Sequence, residues 1–287
     1  MFTPASKNEA KLRLALVGAS GAGKTWTALA IATAMGGKIA LVDTENRSAS
    51  KYADHFKFDT VNFEPPFHPA RFIEAIQTAE ALGYTTIILD SLSALWMGTG
   101  GIVSIVDDIA TNSKSQNSFF AWNEGTTLYK QLVDAIVNSN IHVIGTMRVK
   151  QEYVLEKNEK GKITPTRVGT KPIMRKDFEY EFDLVMSMDL QNCGTVIKTR
   201  CQDLPMGTKV PRPGAATART IMTWLVGVEW IDAKSEPAIK YAAECWGIGK
   251  PEAWGRIDRA IKAEAVSGFL PKDEFKDWVG LAKESVK

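Results

Sequence analysis

The stretch Gly18-Ala-Ser-Gly-Ala-Gly-Lys24-Thr25 decides the fold. It satisfies the pattern G-x-x-x-x-G-K-[ST] in full, follows a short apolar run at Leu12–Val17 and opens a helical pattern at Thr25–Met35. A strand, a glycine turn and a helix N-terminus in that order turn backbone N–H groups toward a phosphate, where the helix dipole also favours an anion. The expectation is a nucleoside triphosphate, ATP with Mg2+. Gly18, Ala19, Ser20, Gly21, Ala22 and Gly23 form the cradle, Lys24 bridges the β- and γ-phosphates, and the Thr25 hydroxyl sits on the metal.

Two acidic strand ends lie downstream. Thr86-Ile-Ile-Leu-Asp90-Ser91 is an apolar strand closing on a carboxylate, the form expected of the second metal-side group. Asp90 is therefore read as reaching Mg2+ through water. Leu41-Val42-Asp43-Thr44-Glu45 ends the strand after the first helix, where a carboxylate can polarise the attacking water. From the residues alone both Asp43 and Glu45 qualify.

Further out, apolar runs alternate with helical periodicity to about residue 200. Candidate strands are Leu12–Val17, Ile39–Val42, Thr86–Leu89, His142–Thr146, Phe182–Met188 and Thr195–Lys198, with helices over Thr25–Met35, Ala70–Leu82 and Thr127–Asn138. Runs that are continuously apolar suit a mostly parallel sheet covered on both faces. Past Pro205, Pro211, Pro213 and Gly214 the pattern changes to an apolar segment and then short proline-led helices. The expected organisation is a core over residues 1–230 and a helical appendage over 231–287.

Two connections are too long for simple loops. Trp96 to Gly125 carries the flexible glycines Gly98, Gly100 and Gly101 and the aromatics Phe119, Phe120 and Trp122. Tyr153 to Lys176 reads as a projecting hairpin, YVLE and ITPTRV about a KNEKGK turn. Residues 147–176 hold nine Lys or Arg against three Glu, a local charge of +6 in a chain of net +2. Charge concentrated in this way is the footprint of phosphate-backbone binding. Arg148, Lys150, Lys157, Lys160, Lys162, Arg167, Lys171 and Arg175 are the candidate nucleic-acid contacts, with Tyr153 and the aromatic trio as stacking rings.

The remaining features exclude more than they assign. The N-terminus lacks a signal-peptide pattern, and no stretch approaches the roughly 18 apolar residues of a membrane helix. Three cysteines, Cys193, Cys201 and Cys245, lack metal-ligand spacing and point to reduced thiols in the cytoplasm. The three histidines are scattered, and His142 at a strand start reads as structural.

Taken together, GASGAGKT, LVDTE and IILDSLSAL resemble the ATPase core of RecA-type recombinases, in order and in spacing. The resemblance implies a RecA-like P-loop NTPase core with a mostly parallel sheet flanked by helices. It maps the water-activating glutamate onto Glu45 and the metal strand onto Asp90-Ser91. It places Thr146 and Arg148 where such ATPases sense the γ-phosphate. Lys198 and Arg200, in Thr195-Val-Ile-Lys198-Thr-Arg200, correspond to a basic pair that reaches the nucleotide of a neighbouring subunit. FHPARFIEAIQTAEALGY, DSLSALWMGTGG, FFAWNEGT, TMRVKQEYV and EYEFDLVMSMD resemble a group of phage-encoded RecA-like ATPases over roughly residues 11–204. That group implies a single-stranded DNA partner, a homo-oligomer with nucleotide at its interfaces, a recombination or annealing role, a DNA-stimulated ATPase and a bacterial host. The competing readings are a ring-forming helicase-like motor and a small-molecule kinase.

Overall fold

Every residue of Arg13–Gly18 is buried, because this strand lies mid-sheet with helices on both faces. The structure is a computed structural model that describes residues 10–112, 118–157, 163–227, 230–263 and 268–284. The chain begins β1 (Arg13–Gly18), α1 (Lys24–Met35), β2 (Ile39–Asp43), β3 (Asp59–Asn62), α2 (Pro69–Ala81) and β4 (Thr86–Asp90). It continues through α3 (Leu92–Met97), α4 (Ile102–Asn112), α5 (Ser118–Val137), β5 (His142–Met147), β6 (Val149–Lys157) and β7 (Ile163–Pro172). Then come β8 (Leu184–Met188), β9 (Cys193–Thr199), β10 (Lys209–Pro211), α6 (Ala215–Val226) and β11 (Trp230–Asp232). Last are α7 (Glu236–Trp246), α8 (Lys250–Lys262), β12 (Phe269–Pro271) and α9 (Lys272–Glu284).

The main sheet has eight strands in the order β10-β9-β8-β1-β5-β4-β2-β3. From β8 to β3 every pairing is parallel, and β9 and β10 add an antiparallel edge. Strand alternation divides the core in two. Leu12, Leu14 and Leu16 pack with α1 and α6 on one face, while Ala15 and Val17 join α2, α3 and α5 on the other. The mostly parallel α/β sheet flanked by helices that the sequence led us to expect is the one observed. The carboxyl ends of β1, β2, β4 and β5 share one edge, the position at which parallel α/β sheets bind ligands.

Several elements differ from expectation. The connection from Trp96 to Gly125 is not a loop but contains α4 and the first turns of α5. The aromatic cluster Phe119, Phe120 and Trp122 hid the helical period. Gly125, taken as the end of that connection, sits inside α5, where an added Cβ would lie 2.5 Å from Val106 of α4. Glycine there permits the two helices to approach closely. An 18-residue window within Leu92–Asn112 has a mean hydropathy of 1.2, more apolar than the sequence reading allowed. It is broken between Met97 and Ile102 into two helices, and Leu92, Leu95, Trp96 and Ile102 are buried in the core. The short strand β3 was missed because its exposed DTVN carries little apolar signal. Phe182 precedes β8 rather than starting it, and its ring lies 5.3 Å from that of Phe178.

The hairpin is present as β6 and β7, paired antiparallel from Val149↔Pro172 to Lys157↔Ile163 with a register shift at Glu152/Tyr153. The C-terminal helices build a separate small core around Ala238, Ala242, Ile257, Phe275 and Val279.

His142 plays the structural part expected of it. Its Nδ1 accepts a hydrogen bond from the Leu12 N–H at 2.9 Å, and burial, aided by Lys11 and Arg13, pushes its pKa down to about 4. The unfolded chain, with a histidine pKa near 6.5, takes up this proton first. The contribution to stability is therefore full above pH 6.5 and lost as the pH falls from 6.5 toward 4, reaching about 3 kcal/mol. Urea unfolding at pH 7 and pH 4.5 should show a loss about 2 kcal/mol smaller in His142→Gln than in the unmodified chain. Equal losses would contradict this role.

Candidate functional site

The turn after β1 takes its shape from two left-handed glycines, Gly21 at φ +82° and Gly23 at φ +76°. Gly23 is further constrained because an added Cβ would lie 2.3 Å from the Asn192 Oδ1. α1 begins at Lys24 with its N-terminus open to the cleft. The Lys24 side chain is buried and its Nζ donates to the Ala19 carbonyl at 2.8 Å. Burial lowers its pKa, while Asp90 and Glu45 oppose that shift.

Asp90 ends β4 at the next layer of the site. Its Oδ2 accepts from the Thr25 hydroxyl at 2.6 Å, and its Oδ1 accepts a short hydrogen bond from the Thr146 hydroxyl. Burial raises the Asp90 pKa, and the two hydroxyls counter that rise. Thr146 is itself fully buried on β5. It reaches the cleft only through the carboxylate it orients.

The acidic turn after β2 separates its two carboxylates by role. Both Asp43 oxygens accept backbone N–H groups, from Glu45 at 2.6 Å and Ala49 at 2.8 Å. Asp43 is thus used in shaping the turn. Thr44 ties the turn to β4, its N–H donating to the Asp90 carbonyl at 2.7 Å and its hydroxyl accepting from the Ser91 N–H at 2.9 Å. Glu45 is left to line the cleft, where its Oε1 accepts from the Arg148 Nε at 2.8 Å.

These groups open on a cleft of about 660 Å³ lined by Ser20, Gly21, Gly23, Lys24, Thr25, Glu45 and Asp90. That volume is within the range of small-molecule and cofactor sites. Its other wall is made by residues the sequence reading did not identify: Trp26, Tyr52, Asn192 and Arg212. Trp26 packs against Tyr52, His55 and Phe56 with ring centroids 5.5, 5.2 and 4.8 Å away. A tryptophan directly after Thr25 was the one available signal. Asn192 and Arg212 come from turns distant in sequence, held together by the Arg212 N–H donating to the Asn192 carbonyl at 2.9 Å.

The groups present fit a phosphate chain with Mg2+. A glycine cradle, a buried ammonium, one hydroxyl and one carboxylate supply cationic and hard-oxygen partners. Among the described residues no three His, Cys, Asp or Glu side chains form a metal cluster. Mg2+ is commonly held by one or two protein groups together with substrate phosphates, so this sparse set suits it.

Lys198 and Arg200 do not join this cleft. Through β8, Lys198 is in register with Ala15, and the Arg200 N–H bonds the Asp183 carbonyl beside Arg13. Arg200 therefore lies level with the start of β1, about 16 Å back along the sheet from Gly18. Lys198 Nζ makes a short hydrogen bond to the Phe182 carbonyl, and Arg200 pairs with Asp183 at 3.2 Å.

Of the basic candidates, Lys150 is exposed on β6 and Lys171 on β7 pairs with Glu152 at 3.2 Å. Arg175 turns to the core helices, its guanidinium 4.5 Å from the Tyr129 ring centroid. Lys160 and Lys162 lie outside the described residues, as do the side chains of Lys157, Arg167 and Tyr153. Phe120 is 72% exposed at the start of α5, and the Trp122 ring lies 6.1 Å from that of Trp96. The Phe119 side chain is not described.

No curated protein sequence matches the chain. Among solved structures, the crystal structure of the RadB recombinase is similar at 18% identity and a TM-score of 0.37, over 71% of this chain and 90% of that one. The sequence profile of the AAA domain family matches residues 10–205, which take in β1 with its phosphate loop and every strand through β9. The chain belongs to the AAA domain family.

Proposed function

We propose that the chain is a RecA-like ATPase that binds single-stranded DNA and acts in recombination or annealing, hydrolysing ATP with Mg2+. The observation that carries this reading is the join between the two halves of the site. Glu45, at the cleft holding Lys24, Thr25 and Asp90, is bonded to Arg148 at the root of the basic hairpin.

Lys24 and the loop N–H groups would hold the β- and γ-phosphates, and Thr25 and Asp90 would hold Mg2+, which neutralises phosphate charge. Glu45 orients the attacking water and accepts its proton; with Asp43 used in fixing the turn, Glu45 is the carboxylate left to line the cleft. Lys198 and Arg200 cannot reach their own phosphate loop. Contact with the nucleotide of an adjacent copy in a homo-oligomer is the role their position supports. Cys193, Cys201 and Cys245 form no disulfide, in keeping with a cytoplasmic site of action.

The hairpin supplies the DNA contact in this reading. Replacing Lys150, Lys160, Lys162, Arg167 and Lys171 by glutamine should weaken binding of a labelled oligo-dT strand in fluorescence anisotropy. For every strand phosphate that no longer meets a lysine or arginine, the slope of log affinity against log salt should flatten by about 0.7. Nucleotide affinity should be unchanged. An oligo-dT affinity equal to that of the unmodified chain would return the hairpin to a solvated surface feature.

A further inference from the structure

Arg148 is the residue at which the sheet becomes the hairpin. It lies between the last residue of β5 and the first of β6. Its backbone is held from both sides: the N–H donates to the Ser93 hydroxyl of α3 at 2.9 Å, and the carbonyl accepts from the Ile173 N–H, just past β7, at 2.7 Å. Both strands of the hairpin thus meet at one residue, whose side chain turns away from them toward the cleft. There the guanidinium occupies one carboxylate oxygen of Glu45.

A general base works only when its oxygen lies within hydrogen-bond reach of the water it deprotonates. An oxygen committed to a guanidinium is directed elsewhere. The pair is nevertheless open to competition, with 49% of the Arg148 side chain and 24% of Glu45 exposed. Phosphate oxygens are strong bidentate partners for a guanidinium, and strand phosphates bound along the hairpin would be delivered beside this one. We propose that Arg148 is a positioning residue that clamps Glu45 in a resting arrangement, and that the phosphates of a single strand on the hairpin draw Arg148 away and free the glutamate. The release step rests on the nucleic-acid reading given above, whereas the clamp itself does not.

ATP turnover by the full chain, with and without oligo-dT, separates the two. Arg148→Met keeps the length of the side chain and removes its charge. Its DNA-free kcat should rise about threefold to fivefold, the scale of one exposed ion pair, with KM for ATP unchanged. Stimulation by oligo-dT should shrink by the same factor, and Arg148→Lys should restore part of the restraint. Adding Glu45→Gln to Arg148→Met should erase the gain, which a general loosening of the fold would not explain. A DNA-free kcat at or below that of the unmodified chain overturns the clamp, even where the unmodified chain responds to oligo-dT. A raised rate in Arg148→Met beside an unmodified chain that ignores oligo-dT supports the clamp and overturns both the release step and the DNA reading.

Discussion

Lys24→Ala should weaken ATP binding by about a hundredfold or more, the scale of losing one partner of a buried charged contact. The ammonium is buried at the mouth of α1 and rests on the Ala19 carbonyl, within a cradle whose shape depends on Gly21 and Gly23. Little reorganisation is needed for it to exchange that carbonyl for phosphate oxygens. Removing it leaves Asp90 and Glu45 facing the phosphates with no compensating charge from the loop. The fold should survive, because the side chain lines the cleft rather than the two apolar layers. Calorimetric titration with ATP and Mg2+, together with a thermal melt, checks both points. Retained affinity would remove the phosphate loop from the account.

Glu45→Gln should separate binding from turnover. Glutamine keeps the size and a hydrogen-bonding oxygen but cannot accept the water proton, so kcat should fall by about 10² to 10⁴ with ATP affinity close to normal. Asp43→Asn is the informative control, because both oxygens of the Asp43 carboxylate accept from backbone N–H groups of the turn that follows. Its effect should appear in stability and in the positioning of Glu45, with a much smaller change in kcat. If Asp43→Asn stopped hydrolysis and Glu45→Gln did not, the two roles would have to be exchanged.

Features governed by short-range chemistry were legible in the sequence. Gly18–Thr25 specifies its own turn, and the apolar runs at Leu12–Val17 and Thr86–Leu89 announce buried parallel strands. Asp90 stood out only in company: a carboxylate closing a strand is common as a cap or turn residue, and the phosphate loop elsewhere in the chain is what singled this one out. The YVLE and ITPTRV runs about a KNEKGK turn indicated the hairpin, which forms as β6 and β7. Features depending on tertiary proximity were not legible. Asn192 and Arg212 reach the cleft from two separate turns, and no local pattern marks either one. The difference between Asp43 and Glu45 rests on which N–H groups the turn presents, which the acidic pattern alone does not encode. Arg175 reads as one more cation of the hairpin until Tyr129 of α5 is placed beneath it. Arg148 is the clearest case, since its partner Glu45 lies 103 residues earlier in the chain.

The central claim is that nucleotide turnover at the phosphate loop is coupled to a single strand held by the hairpin. Steady-state hydrolysis of ATP with Mg2+, measured with and without oligo-dT, tests it most directly. The account predicts a higher kcat when oligo-dT is present, and loss of both the basal and the stimulated rate in Glu45→Gln. A rate indifferent to oligo-dT, with phosphoryl transfer to a small metabolite instead, would contradict it.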